Sequence, residues 1–188
     1  MESTGSRSPA SPKDRVPIPL VITVIAPDRT GLVEELARTV ADHGGNWLES
    51  RMCRLGGEFA GILRIELPAE NKQPLLDALQ KISGLNVLAR AAENQPAPKS
   101  SRETRLEIVG HDRPGIVRET TSALARAGVN VEEFYSERVS APMSGEPLFK
   151  ANARLAVPAT CDLAALKQQL EKIAADLLVD ISFIDEKK

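Results

Sequence analysis

Aromatic residues make up only 3% of this 188-residue chain, with one tryptophan and one tyrosine. So few rings cannot form the stacked platforms on which proteins hold single-stranded nucleic acid. Basic residues are not in excess either, because 24 lysines and arginines face 26 aspartates and glutamates. Binding to a nucleic acid without sequence preference needs excess positive charge. We therefore expect no direct contact with DNA or RNA.

Cysteine is also scarce, and the two present, Cys53 and Cys161, have no paired spacing. This excludes a zinc ribbon, a CxxC redox site and a disulfide framework, so we predict no metal and no cofactor. The N-terminus lacks an apolar run of signal-peptide length, and nowhere do about 18 apolar residues follow one another. The sequence predicts a cytoplasmic protein without membrane contact.

What the sequence does contain is an internal repeat. Shifting the chain by 84 residues places residues 24–49 over residues 108–133, and 9 of the 26 positions are identical. The identical pairs are Asp28/Asp112, Arg29/Arg113, Gly31/Gly115, Val33/Val117, Glu35/Glu119, Ala41/Ala125, Gly44/Gly128, Asn46/Asn130 and Glu49/Glu133. Two copies of one module explain these matches, which cluster at the glycines and their neighbours.

Two stretches have the composition of loops. The proline-rich start of the chain and a segment rich in Pro, Ser and charge between the copies predict a flexible leader and a linker. The predicted boundaries are 1–19 for the leader, 20–92 for the first domain, 93–103 for the linker and 104–185 for the second domain.

Each copy carries hydrophobic patterns in the order βαββαβ. In the first copy the predicted elements are a strand at 20–26, a helix at 31–43, strands at 46–55 and 58–67, a second helix closed by Gly84, and a strand at 85–92. In the first of those helices, Leu32, Val33, Leu36, Ala37 and Val40 form the apolar stripe. The predicted fold class is α+β, with two antiparallel sheets, each covered by helices on one face, and the two modules packed side by side.

The repeated turn between the first strand and the first helix predicts a ligand site. Gly31 and Gly115 stand at helix starts, where free backbone N–H groups and the positive end of the helix dipole can hold a carboxylate. An aspartate before each glycine could hold an ammonium group, and an asparagine that opens the next strand offers donors and acceptors. The predicted ligand-binding residues are Asp28, Arg29, Thr30, Gly31, Leu32 and Asn46, then Asp112, Arg113, Pro114, Gly115, Ile116 and Asn130.

A purely structural interpretation explains the same residues. The aspartate would cap the helix, the arginine would be a solvated surface charge, the glycine would only form the turn, and the asparagine would end the preceding helix. Pro114 also replaces Thr30 and removes one N–H donor, so the two sites should not be equivalent.

The DRTG and DRPG turns, the NWLE and NVEE segments and the repeated βαββαβ order resemble tandem ACT domains. The segments SAPMSGEPLF (140–149) and DRPGIV (112–117) further resemble the glycine cleavage system transcriptional repressor family. This resemblance implies ferredoxin-like ACT domains that sense a small amino acid, with glycine as a candidate, and regulate without chemistry. It also implies a DNA-binding transcription activator as the protein partner. The uncovered sheet face or edge of each module leaves room for a homodimer.

The hairpin between the second and third strands differs most between the copies. The first copy has a tight Gly56-Gly57 turn, whereas the second inserts SAPMSGEP. We expect this loop to present Met143 and Glu146 to a partner protein or to the other module's ligand turn, because methionine adapts well to contact surfaces. Alternatively, Met143 and Leu148 fold back as a lid over the module.

Two other functions use the same topology, although no catalytic residue is predicted. An acylphosphatase-like hydrolase would need an anion-binding loop around an arginine after the first strand, and Arg29 and Arg113 are suitably placed. An RNA-recognition module would stack bases on aromatic residues of its central strands, yet the third strands offer only Phe59 and Phe149.

Overall fold

The computed structural model describes residues 16–92, 101–141 and 145–184. The chain divides between Gln95 and Pro96 into what we call the first unit and the second unit. Each unit has the order βαββαβ and one four-stranded antiparallel sheet. The predicted α+β class and the predicted element order are confirmed.

In the first unit the strand order is β2-β3-β1-β4, with β1 in the interior of the sheet. Side chains at alternate positions of this strand are buried against the helices, because successive residues of a strand point to opposite faces. We call the opposite side of each sheet its outer face. The strands are β1 (Ile18–Pro27), β2 (Asn46–Leu55), β3 (Glu58–Leu67) and β4 (Asn86–Ala91), and the helices are α1 (Leu32–Asp42) and α2 (Lys72–Leu79), with a 3-10 turn at Ala69–Asn71 before α2.

The second unit repeats this arrangement with the strand order β6-β7-β5-β8. One difference lies in the last helix, which has 15 residues here and only 8 in the first unit. Asp162 caps this longer helix, since its carboxylate accepts a hydrogen bond of 3.0 Å from the Ala165 amide. The strands are β5 (Ser101–His111), β6 (Asn130–Ser140), β7 (Pro147–Pro158) and β8 (Val179–Ile184), and the helices are α3 (Ile116–Arg126) and α4 (Leu163–Leu177).

Each unit has its own hydrophobic core between the sheet and its two helices. In α1 the buried residues are Leu32, Leu36 and Val40, which recur every four residues. Val33, which the sequence pattern placed in the same stripe, is instead 45% exposed because it lies to the side of that face. Trp47 of β2 packs, half-buried, against the core of the first unit.

Two strands begin earlier than predicted. β1 starts at Ile18, where Ile18 and Pro19 pair with the end of β3, and β5 starts at Ser101 within the predicted linker. Within the described residues, 101–103 pair with β7 alone, because the described part of β8 reaches only as far as Arg105. Strand residues with a neighbour on one side only tolerate a polar composition, which is why this segment resembles a linker in sequence.

Both sheets have a β-bulge at the same place, between Trp47 and Glu49 in β2 and between Val131 and Glu133 in β6. A bulge inserts one residue and changes which side chains oppose each other across the strands. After the bulge Glu49 lies opposite Arg64 of β3, and Glu133 lies opposite Arg154 of β7. Each pair forms an ion pair, at 3.5 Å in the first unit and 2.9 Å in the second.

The outer faces of the two sheets differ in polarity. In the first unit Ile25, Ile62 and Leu88 are all about half exposed on this face. At the corresponding positions the second unit has Val109, Asn152 and Ser182. No helix within the described residues is long and apolar enough to cross a membrane.

Candidate functional site

The repeated turns connect β1 to α1 and β5 to α3, with a glycine as the residue before each helix. Gly31 has φ 85° and Gly115 has φ 103°, a left-handed backbone conformation that residues other than glycine rarely adopt. No side chain caps either helix. The structural interpretation in which the aspartates are caps is therefore wrong. A Cβ atom built on either glycine would meet nothing within 4 Å, so both turns have open space beside the helix start.

Each aspartate of the turns instead forms an ion pair with an arginine of the next strand. Arg54 Nε lies 2.6 Å from Asp28 Oδ2, and Arg138 Nε lies 3.0 Å from Asp112 Oδ2. Arg54 and Arg138 are also 84 residues apart, so this ion pair is part of the internal repeat. The sequence comparison missed both arginines because it stopped at Glu49 and its counterpart, although the same shift carried five residues further would have found them.

Backbone hydrogen bonds fasten the same turns to the neighbouring hairpins. The Asp28 amide donates to the Gly57 carbonyl at 2.9 Å, and the Asp112 amide donates to the Pro147 carbonyl at 3.2 Å. In the second unit His111 Nδ1 also lies 3.9 Å from Glu146 Oε2. Glu146, predicted to contact a partner, therefore lies beside the residue that precedes the ligand turn.

The arginines of the two turns have different surroundings. Arg29 forms an ion pair with Glu35 of α1. In the second unit Glu119, the counterpart of Glu35, pairs with Arg118 at 2.6 Å instead. Arg113 is exposed at the surface. Of the two arginines proposed for an anion-binding loop, Arg29 is thus already neutralised by a carboxylate.

The remaining residues of each turn contribute in different ways. Thr30 and Pro114 are exposed, whereas the side chains of Leu32 and Ile116 are buried in the cores. Leu32 and Ile116 can therefore offer only their backbone amides to a ligand, and the Leu32 amide already donates a long hydrogen bond of 3.5 Å to the Arg29 carbonyl. Because Pro114 has no N–H group, the second turn has one donor fewer than the first.

The structure does not bring Asn46 or Asn130 to the turn of its own unit. Asn46 lies opposite Glu66, which lies opposite Pro19 at the start of β1, while Asp28 follows the end of β1. At about 3.4 Å per residue, the two ends are roughly 30 Å apart. Asn130 opens β6 in the same way, opposite Ala156 of β7. One amino acid cannot contact both a turn and the asparagine of the same unit, so the predicted residue set is corrected here.

The loop between β6 and β7 is described only at its base. The Ala141 amide donates to the Glu146 carbonyl at 2.8 Å, and the Gly145 amide donates to the Ala141 carbonyl at 3.0 Å. Met143, the other predicted contact residue, lies outside the described residues. The part of the chain that the structure describes has no group of three or more His, Cys, Asp or Glu residues arranged to hold a metal ion.

Comparison with known proteins agrees with the repeated architecture. Family models of the ACT domain match residues 19–87 and residues 104–149. The glycine cleavage system transcriptional repressor of Escherichia coli (strain K12) is 24% identical over 164 residues, which cover 84% of this chain and 85% of the relative. Tandem ACT domains together with this similarity indicate a regulatory protein.

Two crystal structures resemble the whole chain. A protein of unknown function from Galdieria sulphuraria is 30% identical, with a TM-score of 0.81, over 89% of this chain and 98% of that one. A proposed glycine cleavage system transcriptional repressor is 20% identical, with a TM-score of 0.67, over 92% of this chain and 99% of that one, and supports the fold alone. With a family match in each copy of its repeat, the chain belongs to the ACT domain family and carries two ACT domains in tandem.

Proposed function

We propose that this protein is a regulator without catalytic activity, which binds a small amino acid at its turns and acts on a DNA-binding transcription activator. The observation that carries the proposal is the repeated turn, where an uncapped helix start with an open glycine lies next to an aspartate. Free amides at a helix start favour a carboxylate, and the aspartate favours an ammonium group. An amino acid carries both groups.

Glycine is the first candidate ligand, because the relative from Escherichia coli is a repressor of the glycine cleavage system. Its carboxylate would take the amides at the start of α1 or α3. Its ammonium group would compete with Arg54 for Asp28, or with Arg138 for Asp112. We expect the first turn to bind more tightly, since the second lacks the N–H group that Pro114 removes.

Thermal melts of the full chain against the twenty amino acids test this proposal. A ligand that binds the folded state at 100 times its Kd adds about 2.7 kcal/mol to the free energy of unfolding. We expect glycine, or another small amino acid, to raise the melting temperature. If none of the twenty changes it at millimolar concentration, the protein does not sense an amino acid.

Removing one or the other partner of the ion pair in the first turn should change the affinity for an amino acid in opposite directions. Arg54→Gln should strengthen amino-acid binding at the first turn, because Asp28 no longer has a competing cation. Asp28→Asn should weaken it. Exposed ion pairs contribute about 0–1 kcal/mol, so the gain from Arg54→Gln should be up to about fivefold in Kd. Calorimetric titration measures both, and equal weakening by the two variants would contradict a role for Asp28 in holding the ammonium group.

We also expect the purified protein not to bind duplex DNA at physiological salt. Its formal net charge is −2, and neutralising DNA phosphates requires excess Lys and Arg. Any effect on transcription would then require the activator. A gel-shift experiment with the protein alone tests this, and a shift that weakens with added salt would show direct binding.

The loop between β6 and β7 is our candidate for the contact with the activator. Replacing residues 141–146 by an Asn-Gly turn should change the melting temperature by less than about 4 °C, since the described base of the loop contributes no residue to the core of the second unit and Asn-Gly suits a two-residue hairpin. The shortened protein should no longer regulate a reporter gene controlled by the activator.

The control is the hairpin of the first unit, where replacing Gly56 by asparagine gives the same Asn-Gly turn. This variant should regulate normally. Normal regulation by the shortened protein would mean that the loop is not a recognition element, and unfolding of the shortened protein would favour the lid interpretation.

A further inference from the structure

The outer face of the first unit carries three large apolar side chains around one threonine. Thr23 of β1 lies directly opposite Ile62 of β3 and Leu88 of β4, and Ile25 follows Thr23 two residues later on the same face. Ile25, Ile62 and Leu88 are 43%, 53% and 55% exposed. Side chains at opposite or diagonal positions of neighbouring strands lie about 5–8 Å apart. The four residues therefore form one continuous surface, which we call the apolar patch.

Smaller residues extend the apolar patch towards β2 and along β1. Ala60 lies opposite Ile25, Cys53 lies opposite Ala60, and Val21 precedes Thr23 by two residues. With strands about 4.8 Å apart and about 3.4 Å per residue, the four-stranded face covers roughly 600 Å². Two such faces would bury about 1,200 Å² in total, which is the lower end of specific protein interfaces. The face is therefore large enough for a specific contact with another protein.

A row of residues beside the apolar patch has opposite charges at its two ends. Glu49 of β2 lies opposite Arg64 of β3, which lies opposite Val21 of β1, and Val21 lies opposite Arg90 of β4. Glu49 keeps 57% of its side chain exposed beside Arg64. Arg90 is exposed, and within the described residues its side chain has no ion pair or hydrogen bond. The two edges of the face therefore carry an accessible carboxylate and an accessible guanidinium group.

This order of charges is self-complementary when the same face of a second copy is laid over the first. A two-fold axis parallel to the strands places β2 of one copy over β4 of the other. Glu49 then meets Arg90 of the second copy, and the symmetry makes this contact twice. A two-fold axis across the strands, through the centre of the patch, would instead place Arg51, which lies opposite Ile62, over Arg51 of the second copy. Repulsion between like charges disfavours that arrangement.

The second unit has no such patch among its described residues. The row of its outer face that corresponds to Arg51, Ile62, Thr23 and Leu88 consists of Tyr135, Asn152, Glu107 and Ser182. Burying polar groups against an apolar surface is costly unless each finds a hydrogen-bond partner. The face that best complements the apolar patch is therefore the same face of another copy of the chain.

We propose that two copies of this chain form a dimer through the outer faces of their first units. The two sheets lie face to face with their strands roughly aligned, as in other stacked sheets, about 10 Å apart. The apolar patch lies in the centre of the contact, and Glu49 of each copy pairs with Arg90 of the other.

Sedimentation equilibrium of the full chain, without any amino acid, tests this proposal. We expect a dimer, and Ile62→Glu should raise its dissociation constant at least about tenfold, because a carboxylate would be buried in the contact. The variant should still fold, since Ile62 is half exposed and Arg51 opposite it can pair with the new carboxylate. Asn152→Glu is the matched control at the corresponding position of the second unit, and it should leave the dissociation constant unchanged.

Charge reversal identifies the second copy as the partner. Glu49→Arg and Arg90→Glu should each weaken the dimer, because each places like charges together, and the double variant should restore it. Within one copy the two residues are three strand spacings apart, about 14 Å, so a rescue requires contact between copies.

Three results would overturn the proposal. The first is a chain that stays monomeric at about 100 μM, which would mean that the patch is covered within the chain or by another protein. The others are a dimer that Ile62→Glu does not weaken and a double variant that dimerises no better than the single variants. No amino acid is present in these measurements, so this proposal and the proposed function can fail separately.

Discussion

Replacing Gly31 by valine is expected to abolish amino-acid binding at the first turn and to lower the free energy of unfolding by about 1–3 kcal/mol. The first effect arises because the added side chain fills the open space beside the start of α1 that a carboxylate would occupy. The second arises because a β-branched residue is strained at φ 85°. Calorimetric titration measures the first effect, and denaturation by urea measures the second.

Gly57→Val is the matched control for this prediction. Gly57 has φ 89°, and a Cβ atom there would also meet nothing within 4 Å, so the strain should be similar. The glycine lies in the hairpin between β2 and β3 and contacts the turn through its carbonyl group, which accepts a hydrogen bond of 2.9 Å from the Asp28 amide and which valine retains. We expect the two variants to lose similar stability and only Gly31→Val to lose binding. Normal binding by Gly31→Val would refute the ligand site.

Gly110→Ala should lower the free energy of unfolding of the second unit by about 3 kcal/mol, more than any other substitution there that adds one methyl group. A Cβ atom on Gly110 would lie 2.5 Å from Val179 Cα and 2.8 Å from the Leu178 carbonyl oxygen, and neither backbone atom can rotate away. Overpacking of this kind costs about 1–3 kcal/mol or more. Alanine is more favourable than glycine in a strand by only about 0.5–1 kcal/mol, which is less than the cost of the clash. The variant should therefore be less stable. Urea denaturation followed by circular dichroism measures the loss.

The first unit provides the control for this variant. Ala26 occupies the position of Gly110 in β1, where β4 pairs only as far as Ile25 and leaves room for the methyl group. Ala26→Gly should therefore cost about 1 kcal/mol, from greater backbone freedom in the unfolded chain. A Gly110→Ala variant that is as stable as the unchanged protein would mean that β8 pairs differently with β5.

The strand bounds predicted for the hairpin of the first unit, 46–55 and 58–67, are the same as those in the structure. The reason is local, because Gly56-Gly57 favours a two-residue hairpin turn and Pro68 lacks the N–H group that a further ladder hydrogen bond needs. The start of β5 was less predictable. In the part of the chain that the structure describes, its first residues have a partner strand on one side only, and their polar composition carries no strand signal.

The site was predicted only in part, because its contacts depend on strand direction. The grouping of Asn46 with Asp28 overlooked that a helix between two parallel strands returns the chain to the end where the first strand began. Since β1 and β2 both run antiparallel to β3, they are parallel to each other, and the start of β2 lies far from the turn. The same geometry brings Arg54, near the end of β2, to Asp28.

The scarcity of aromatic residues has an experimental use. Trp47 is the only tryptophan and packs against the core of the first unit, while Tyr135 is the only tyrosine and lies 61% exposed on β6. Indole fluorescence therefore follows the first sheet and phenol fluorescence follows the second. The unmodified protein thus carries one optical label in each ACT domain, so a spectrum taken during unfolding can assign a lost contact to its domain without any added dye.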